Sequence, residues 1–169
     1  MKLPQIIITT CVTIDGYYCY NGKNIVDHPF VTDKTRLLDR AILRMTLSQN
    51  RNGALVAGQQ VIEDLGNLPD NFHMTTVTTN LVDDAVDRAF VIASLSPSNI
   101  LVMGGRTTYS QFIKANRGNI TLIRHVLDFS LGDDCEGSKK FPFDDLKFRD
   151  ATELSFTQFN NSFLVTESY

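Results

Sequence analysis

Twice in this 169-residue sequence a short apolar run leads straight into glycine and then into a segment with helical spacing: Ala54-Leu-Val-Ala-Gly58 and Ile100-Leu-Val-Met-Gly104-Gly105. Such a turn has a chemical use. Glycine lets a phosphate approach the backbone, and the unpaired N–H groups of the first helical turn favour negative charge. Arg106 and Thr107, directly beyond the second turn, add a cation and a hydroxyl. In an open α/β sheet both turns would stand at the carboxyl ends of strands, where ligands lie. Together they point to a nucleotide-phosphate site, whereas one glycine turn would be explained by tight helix packing alone.

Other residues admit two readings. Asp15, in Thr13-Ile-Asp15-Gly16, is a ligand contact or the first half of an Asp-Gly turn. Thr32 and Asp33 can touch a substrate, and Thr32 is also a good helix N-cap. Tyr17, Tyr18 and Tyr20 form either a stacking lid over a heterocycle or a cover for the sheet. His28, His73 and His125 stand far apart without ligand spacing and read as structural, and no metal site is expected. Neither a Gly-x-Ser-x-Gly elbow nor a phosphate loop ending in Gly-Lys-Ser/Thr is present.

These residues need elements to hold them. Gln5–Val12 is β-branched and nearly all apolar, the signature of a strand buried on both faces. Thr32–Leu47 reads as a helix with Leu37, Leu38, Ala41, Ile42 and Met45 on its apolar face. Ala54–Ala57, His73–Thr79, Asn99–Met103 and Ile120–Leu127 read as strands. Helices are expected after Gly58, over Leu81–Leu95 behind an Asn80 cap, and over Thr107–Ala115. Thr13–Asn24 and Gly132–Lys140 read as loops, the first with turn signals at Asp15-Gly16 and Asn21-Gly22. Leu154–Phe159 and Ser162–Glu167 alternate as an antiparallel hairpin around Asn160-Asn161. Alternating strands and helices imply a mainly parallel sheet with right-handed crossovers, closed by that hairpin, in one domain over 1–169.

Composition narrows the partners. A net charge of −3 provides no global basic field for nucleic acid or anionic membrane. No run approaches the ~20 apolar residues of a membrane span. Three irregularly spaced cysteines and no signal-peptide pattern fit a reducing, cytoplasmic setting. A small-molecule partner is expected, and monomer or homodimer are both open.

Several of these segments resemble the dihydrofolate-reductase-like superfamily. Val102-Met-Gly-Gly-Arg-Thr-Thr-Tyr109 is similar to the hydrophobic-Gly-Gly-x-x-x-Tyr turn of dihydrofolate reductases, and Leu55-Val-Ala-Gly58 with Leu68-Pro69 to another of their segments. Glu136-Gly-Ser-Lys-Lys-Phe141-Pro142 resembles their Glu-Gly-Asp-x-x-Phe-Pro stretch. Thr13-Ile-Asp15-Gly16 and Phe30-Val-Thr32-Asp33 are closer to the reductase domain of riboflavin biosynthesis. The resemblance implies a three-layer α/β fold and an NADPH-dependent reductase that transfers hydride to a pterin or related pyrimidine. It implies Ala57, Gly58, Gly104, Gly105, Arg106, Thr107 and Tyr109 at the cofactor, Asp15, Phe30 and Thr32 at the substrate, and Asp33 as the catalytic acid. The family's helix acid maps to Thr35 counted from Pro29, or near Leu38 counted from the helix end, with Asp33 and Asp39 on either side. Gln59 and Gln60 stand where the family carries an Arg. Those two departures motivate a second reading: a superfamily member that binds a nucleotide or a partner without turnover.

Overall fold

The computed structural model describes residues 3–58, 61–63, 75–78, 82–95, 98–115, 117–133, 136–146 and 150–169. Expectations for Gln59 and Gln60, for Leu68-Pro69, for His73 and for the Asn80 cap lie outside these residues.

Seven strands form the main sheet: β1 (Ile6–Thr13), β4 (Ala54–Ala57), β5 (Thr75–Thr78), β6 (Ile100–Met103), β7 (Ile120–Leu127), β9 (Glu153–Gln158) and β10 (Ser162–Ser168). Their order is β5-β4-β6-β1-β7-β10-β9. The β5, β4, β6, β1 and β7 neighbours all pair in parallel, while β10 and β9 are antiparallel. The apolar start of β1, Ile6 to Ile8, follows from its place between β6 and β7, with a layer on each face. Ile6 and Ile8, Ala54 and Val56, Ile100 and Val102 point to one side, where helices α2 (Val82–Leu95) and α3 (Arg106–Lys114) contribute Ala85, Ala89, Phe90, Phe112 and Ile113. The intervening Ile7, Leu55, Ala57, Leu101 and Met103 pack on the other side against Leu43 and Leu47 of helix α1 (Asp33–Gln49). The result is three layers, helix–sheet–helix, with the antiparallel pair at one edge.

Thr32 caps α1, its hydroxyl accepting the Thr35 N–H at 3.3 Å. The buried stripe of that helix is Thr35, Ile42, Thr46 and Leu47, which shares only Ile42 with the expected face. Leu37 and Met45 are exposed, at 63% and 48%. Short hydroxyl side chains allow this rotation because they satisfy themselves: the Thr46 hydroxyl donates to the Ile42 carbonyl at 2.9 Å. Beyond the helix, Asn50 donates to the Thr46 carbonyl at 2.7 Å and accepts from Asn99 at 3.1 Å, tying α1 to the start of β6.

A second sheet, unforeseen in the sequence, joins β2 (Tyr17–Tyr20), β3 (Lys23–Asn24) and β8 (Lys139–Lys140) in the order β3-β2-β8. Asn21 and Gly22 form the two-residue turn between β2 and β3, with φ of 47° and 73°. Positive φ at both turn residues gives the twist that a tight hairpin needs. Gly137 packs against this tip with φ of 70°, and an added Cβ there would lie 3.2 Å from the Asn21 backbone.

Candidate functional site

The two glycine turns lie side by side. Strands β4 and β6 pair in parallel with Ala57 opposite Met103, so Gly58 and Gly104 leave the sheet at adjacent positions on its carboxyl edge. Ala57 is fully buried, while Gly105, Arg106 and Thr107 are exposed at the start of α3. The two glycines of that turn differ. A Cβ on Gly104 would stand 3.1 Å from the Thr108 side chain, so tight packing of α3 explains this glycine. A Cβ on Gly105 would meet only the Tyr18 hydroxyl, at 3.8 Å, which leaves its outer side open to an approaching group.

Part of the donor set at this turn is already used. The Tyr18 hydroxyl accepts the Arg106 N–H at 2.8 Å, and the Arg106 guanidinium donates to the Lys140 carbonyl at 2.9 Å. Tyr18 stands edge-on to Tyr109, 6.0 Å between ring centres. The Tyr109 hydroxyl donates to the Thr9 carbonyl at 3.2 Å, and burial pushes its phenol up to about 12, so it stays neutral. Burial raises the Tyr18 phenol as well, against the opposing hydrogen bond from Arg106. Both tyrosines are thus neutral hydrogen-bonding groups.

Beneath the turn is a cavity of about 280 Å³, bounded by β1, α1, Met103 to Gly105, and the β2–β3 hairpin. This is near the lower end of the roughly 300–1,000 Å³ typical of small-molecule pockets. Ile42, Leu43, Val61 and Met103 give it an apolar side. Its polar floor is Cys11 of β1, Asp39 of α1 and His125 of β7. His125 Nδ1 lies 2.8 Å from Asp39 Oδ1, and its Nε2 lies 2.7 Å from the Ser162 hydroxyl. Cys11 Sγ is 3.9 Å from His125 Nδ1. Burial raises the Cys11 thiol well above its ordinary value, and the Asp39 carboxylate adds to the effect, so the thiol is neutral. These three donors fall within 4.8 Å of one another. The 2.8 Å contact is a hydrogen-bond distance, shorter than the about 3.3 Å separating two ligands bound at ~2.0 Å on a tetrahedral ion. The cluster is knit by hydrogen bonds.

The sequence-derived candidates divide accordingly. Gly104, Gly105 and Tyr109 line the cavity, and Ala57, Gly58, Arg106 and Thr107 adjoin it. Asp33, expected as the acid, does not line it: its side chain is 95% exposed and pairs with Arg36 at 2.8 Å in the first turn of α1. Helix geometry is the reason, since positions 33 and 39 lie about 240° apart around the axis. Only Asp39 shares the buried stripe of Thr35 and Ile42. Thr32 and Phe30 line a separate cavity with Thr35, Asp128, Phe129 and Asn161. Asp15 also lies outside the main cavity, accepting the N–H groups of Leu131 and Gly132 at 3.1 and 2.9 Å and the Thr13 hydroxyl. Burial pushes its carboxyl up, but these hydrogen bonds outweigh burial and hold it below the usual carboxylate range.

The structural reading of His28 fits its place against the rings of Tyr20, Phe30 and Phe129, where burial lowers its basicity. His125, read the same way from sequence, instead faces the cavity. The one signal that could have found part of the floor is the polar set Thr35, Asp39 and Thr46 flanking Ile42 at helical spacing.

No family model matches the sequence, and no curated protein matches it. The structure does match solved ones. Dihydrofolate reductase from Enterococcus faecalis, complexed with NADP(H) and RAB-propyl, superposes with a TM-score of 0.61 at 17% identity, over 99% of this chain and 96% of that one. The riboflavin biosynthesis reductase Rib7 of Saccharomyces cerevisiae gives 0.56 at 9% identity, over 98% and 89%. The fold is dihydrofolate-reductase-like.

Proposed function

We propose that the protein is an NADPH-dependent reductase that transfers hydride to a C=N or C=O carbon of a pterin or related pyrimidine. The observation that carries this reading is the pairing of Gly58 with Gly104-Gly105 at one sheet edge, directly above a cavity floored by Asp39. The fold shared with a dihydrofolate reductase that binds NADP(H) supports it.

The residues fit a dinucleotide. Gly105 is open on its outer side, Thr107 is exposed, and the exposed Arg106 guanidinium donates to the Lys140 carbonyl oxygen. Backbone N–H groups at the two glycine turns and the Thr107 hydroxyl would hold the phosphates. The nicotinamide, when bound, supplies the hydride. The protein's share is orientation and proton supply. Tyr18 and Tyr109 stand beside the turn, the apolar side takes a planar ring, and Asp39 meets a ring nitrogen with a carboxyl.

The first test is a titration with NADPH, followed by its fluorescence and by melting temperature. Binding should add about 2.7 kcal/mol at a hundredfold excess over Kd. G105V should fold, because a Cβ there meets nothing closer than 3.8 Å, yet lose at least about tenfold in affinity by blocking the backbone approach. Unchanged affinity in that variant removes the site assignment. Loss of NADPH absorbance with dihydrofolate or with an aminopyrimidine then reads turnover.

A second reading has its own observation. The Arg106 N–H and guanidinium are both engaged inside the protein, as in a member of the fold that binds a ligand or partner without turnover. No thermal shift with millimolar NADPH or NADH favours that reading.

A further inference from the structure

We propose that His125 is a positioning residue which, anchored by Ser162, keeps Asp39 supplied with the proton that the reduction consumes. The inference rests on the reductase reading and extends it from the cavity into the sheet behind.

Three elements build one hydrogen-bonded line. Ser162 opens β10, His125 lies on β7, and Asp39 sits on the inward face of α1. Ser162 Oγ to Nε2 is 2.7 Å, and Nδ1 to Asp39 Oδ1 is 2.8 Å. The ring is 2% exposed and the Asp39 side chain 20%, so the line runs from a dry interior to the cavity floor. An ionised carboxylate only accepts, so the Nδ1···Oδ1 contact must contain a proton. Ser162 suits the ring in either charge state, because a hydroxyl can donate to a bare Nε2 or accept from Nε2–H.

The surroundings isolate this proton. Cys11 faces the ring from β1, in register with His125, and is a neutral thiol. From α1 the facing charged group is Asp39, and from β10 the facing polar group is Ser162. Lys23 of β3 lines the same cavity. The neighbouring Arg124 is paired with Glu167 at 2.5 Å.

The step balances as follows for a C=N substrate. A bound nicotinamide would supply the hydride for the new C–H bond and be oxidised. As the C=N π bond breaks, its nitrogen takes a proton from the Asp39 carboxyl; the donor state of the pair has one proton on Nε2, accepted by Ser162 Oγ, and a second in the Nδ1···Oδ1 contact, so that giving one up leaves a neutral imidazole and a carboxylate. The pair then regains one proton from water through the open side of the cavity.

Two measurements test this. Nitrogen-15 NMR of the unliganded wild-type protein at the assay pH should show His125 protonated at Nε2; a bare Nε2 with the only ring proton on Nδ1 overturns the proposal, whatever the protein's activity, because giving that proton up would leave an imidazolate. In the enzyme assay, H125N retains an amide donor near the Nδ1 position but holds no exchangeable ring proton. It should lower kcat by about 10²-fold with little change in KM and move a limb of the kcat–pH profile. S162A should move the same limb in the same direction, less far. An unchanged profile in H125N also overturns the proposal. If wild type binds NADPH but turns over no probe substrate, the reductase reading fails separately, and the NMR result alone decides the state of His125.

Discussion

Asp33 and Asp39 lie six residues apart on one helix, and that separation decides which carboxylate faces the cavity. The sequence leaves Asp33 and Asp39 on either side of the expected position and does not reveal how the helix is rotated. D39N should reduce turnover by about 10²-fold. D33N removes only an exposed pair with Arg36 and should leave kcat within a factor of two and stability within about 0.5 kcal/mol. Asp15 carries a different prediction. Its carboxyl is held below its ordinary range, so the folded protein binds a proton there less readily than the unfolded chain. Its stabilising contribution is therefore complete above the unfolded carboxylate range and fades as pH falls through the folded value. Urea midpoints at falling pH should drop more steeply for wild type than for D15N, and identical slopes exclude this role. The Asp-Gly turn was legible in the sequence; the backbone amides of Leu131 and Gly132 that its carboxylate collects, more than a hundred residues away, were not.

Elements were legible where local chemistry sets them. Ala54–Ala57 and Ile120–Leu127 match the expected strands end for end, and Thr32 caps α1 as its residue type predicts. T32A should cost about 1 kcal/mol in chemical denaturation, leaving the m-value unchanged. The two-residue strands β3 and β8 have too few positions to show a period, and they exist because Asn21-Gly22 folds β2 onto β3 while Gly137 fits beneath the tip. The face of α1 was misread for a related reason. A count of apolar residues favours Leu37 and Met45, yet the helix rests on self-satisfied threonines and leaves both leucine and methionine outside. Burial of Asp39 follows from that same rotation.

At the scale of the molecule, the three layers follow from alternation within nearly every central strand, each residue pointing opposite to its neighbour. This much was readable, because buried parallel strands advertise themselves as apolar runs between helices. The cavity was not, because it is made where β1, α1, β7 and the small sheet meet, a junction of segments more than a hundred residues apart.

The central place of β1 has a consequence in time. Ile6 pairs with Ile100 on one side and Ile120 on the other, so β1, which precedes the other strands of this sheet, gains its last neighbour only after Leu127 has emerged from the ribosome. Loop closure over such spans precedes any reward from pairing, which makes folding slow and leaves an apolar strand edge waiting. A chain ending at Asn119 should be protease-sensitive throughout in a pulse-proteolysis assay, with protection arriving together across the sheet once residues up to Ser168 are present. Stepwise protection of β4 and β6 in the shorter chain would show instead that half of the sheet folds on its own.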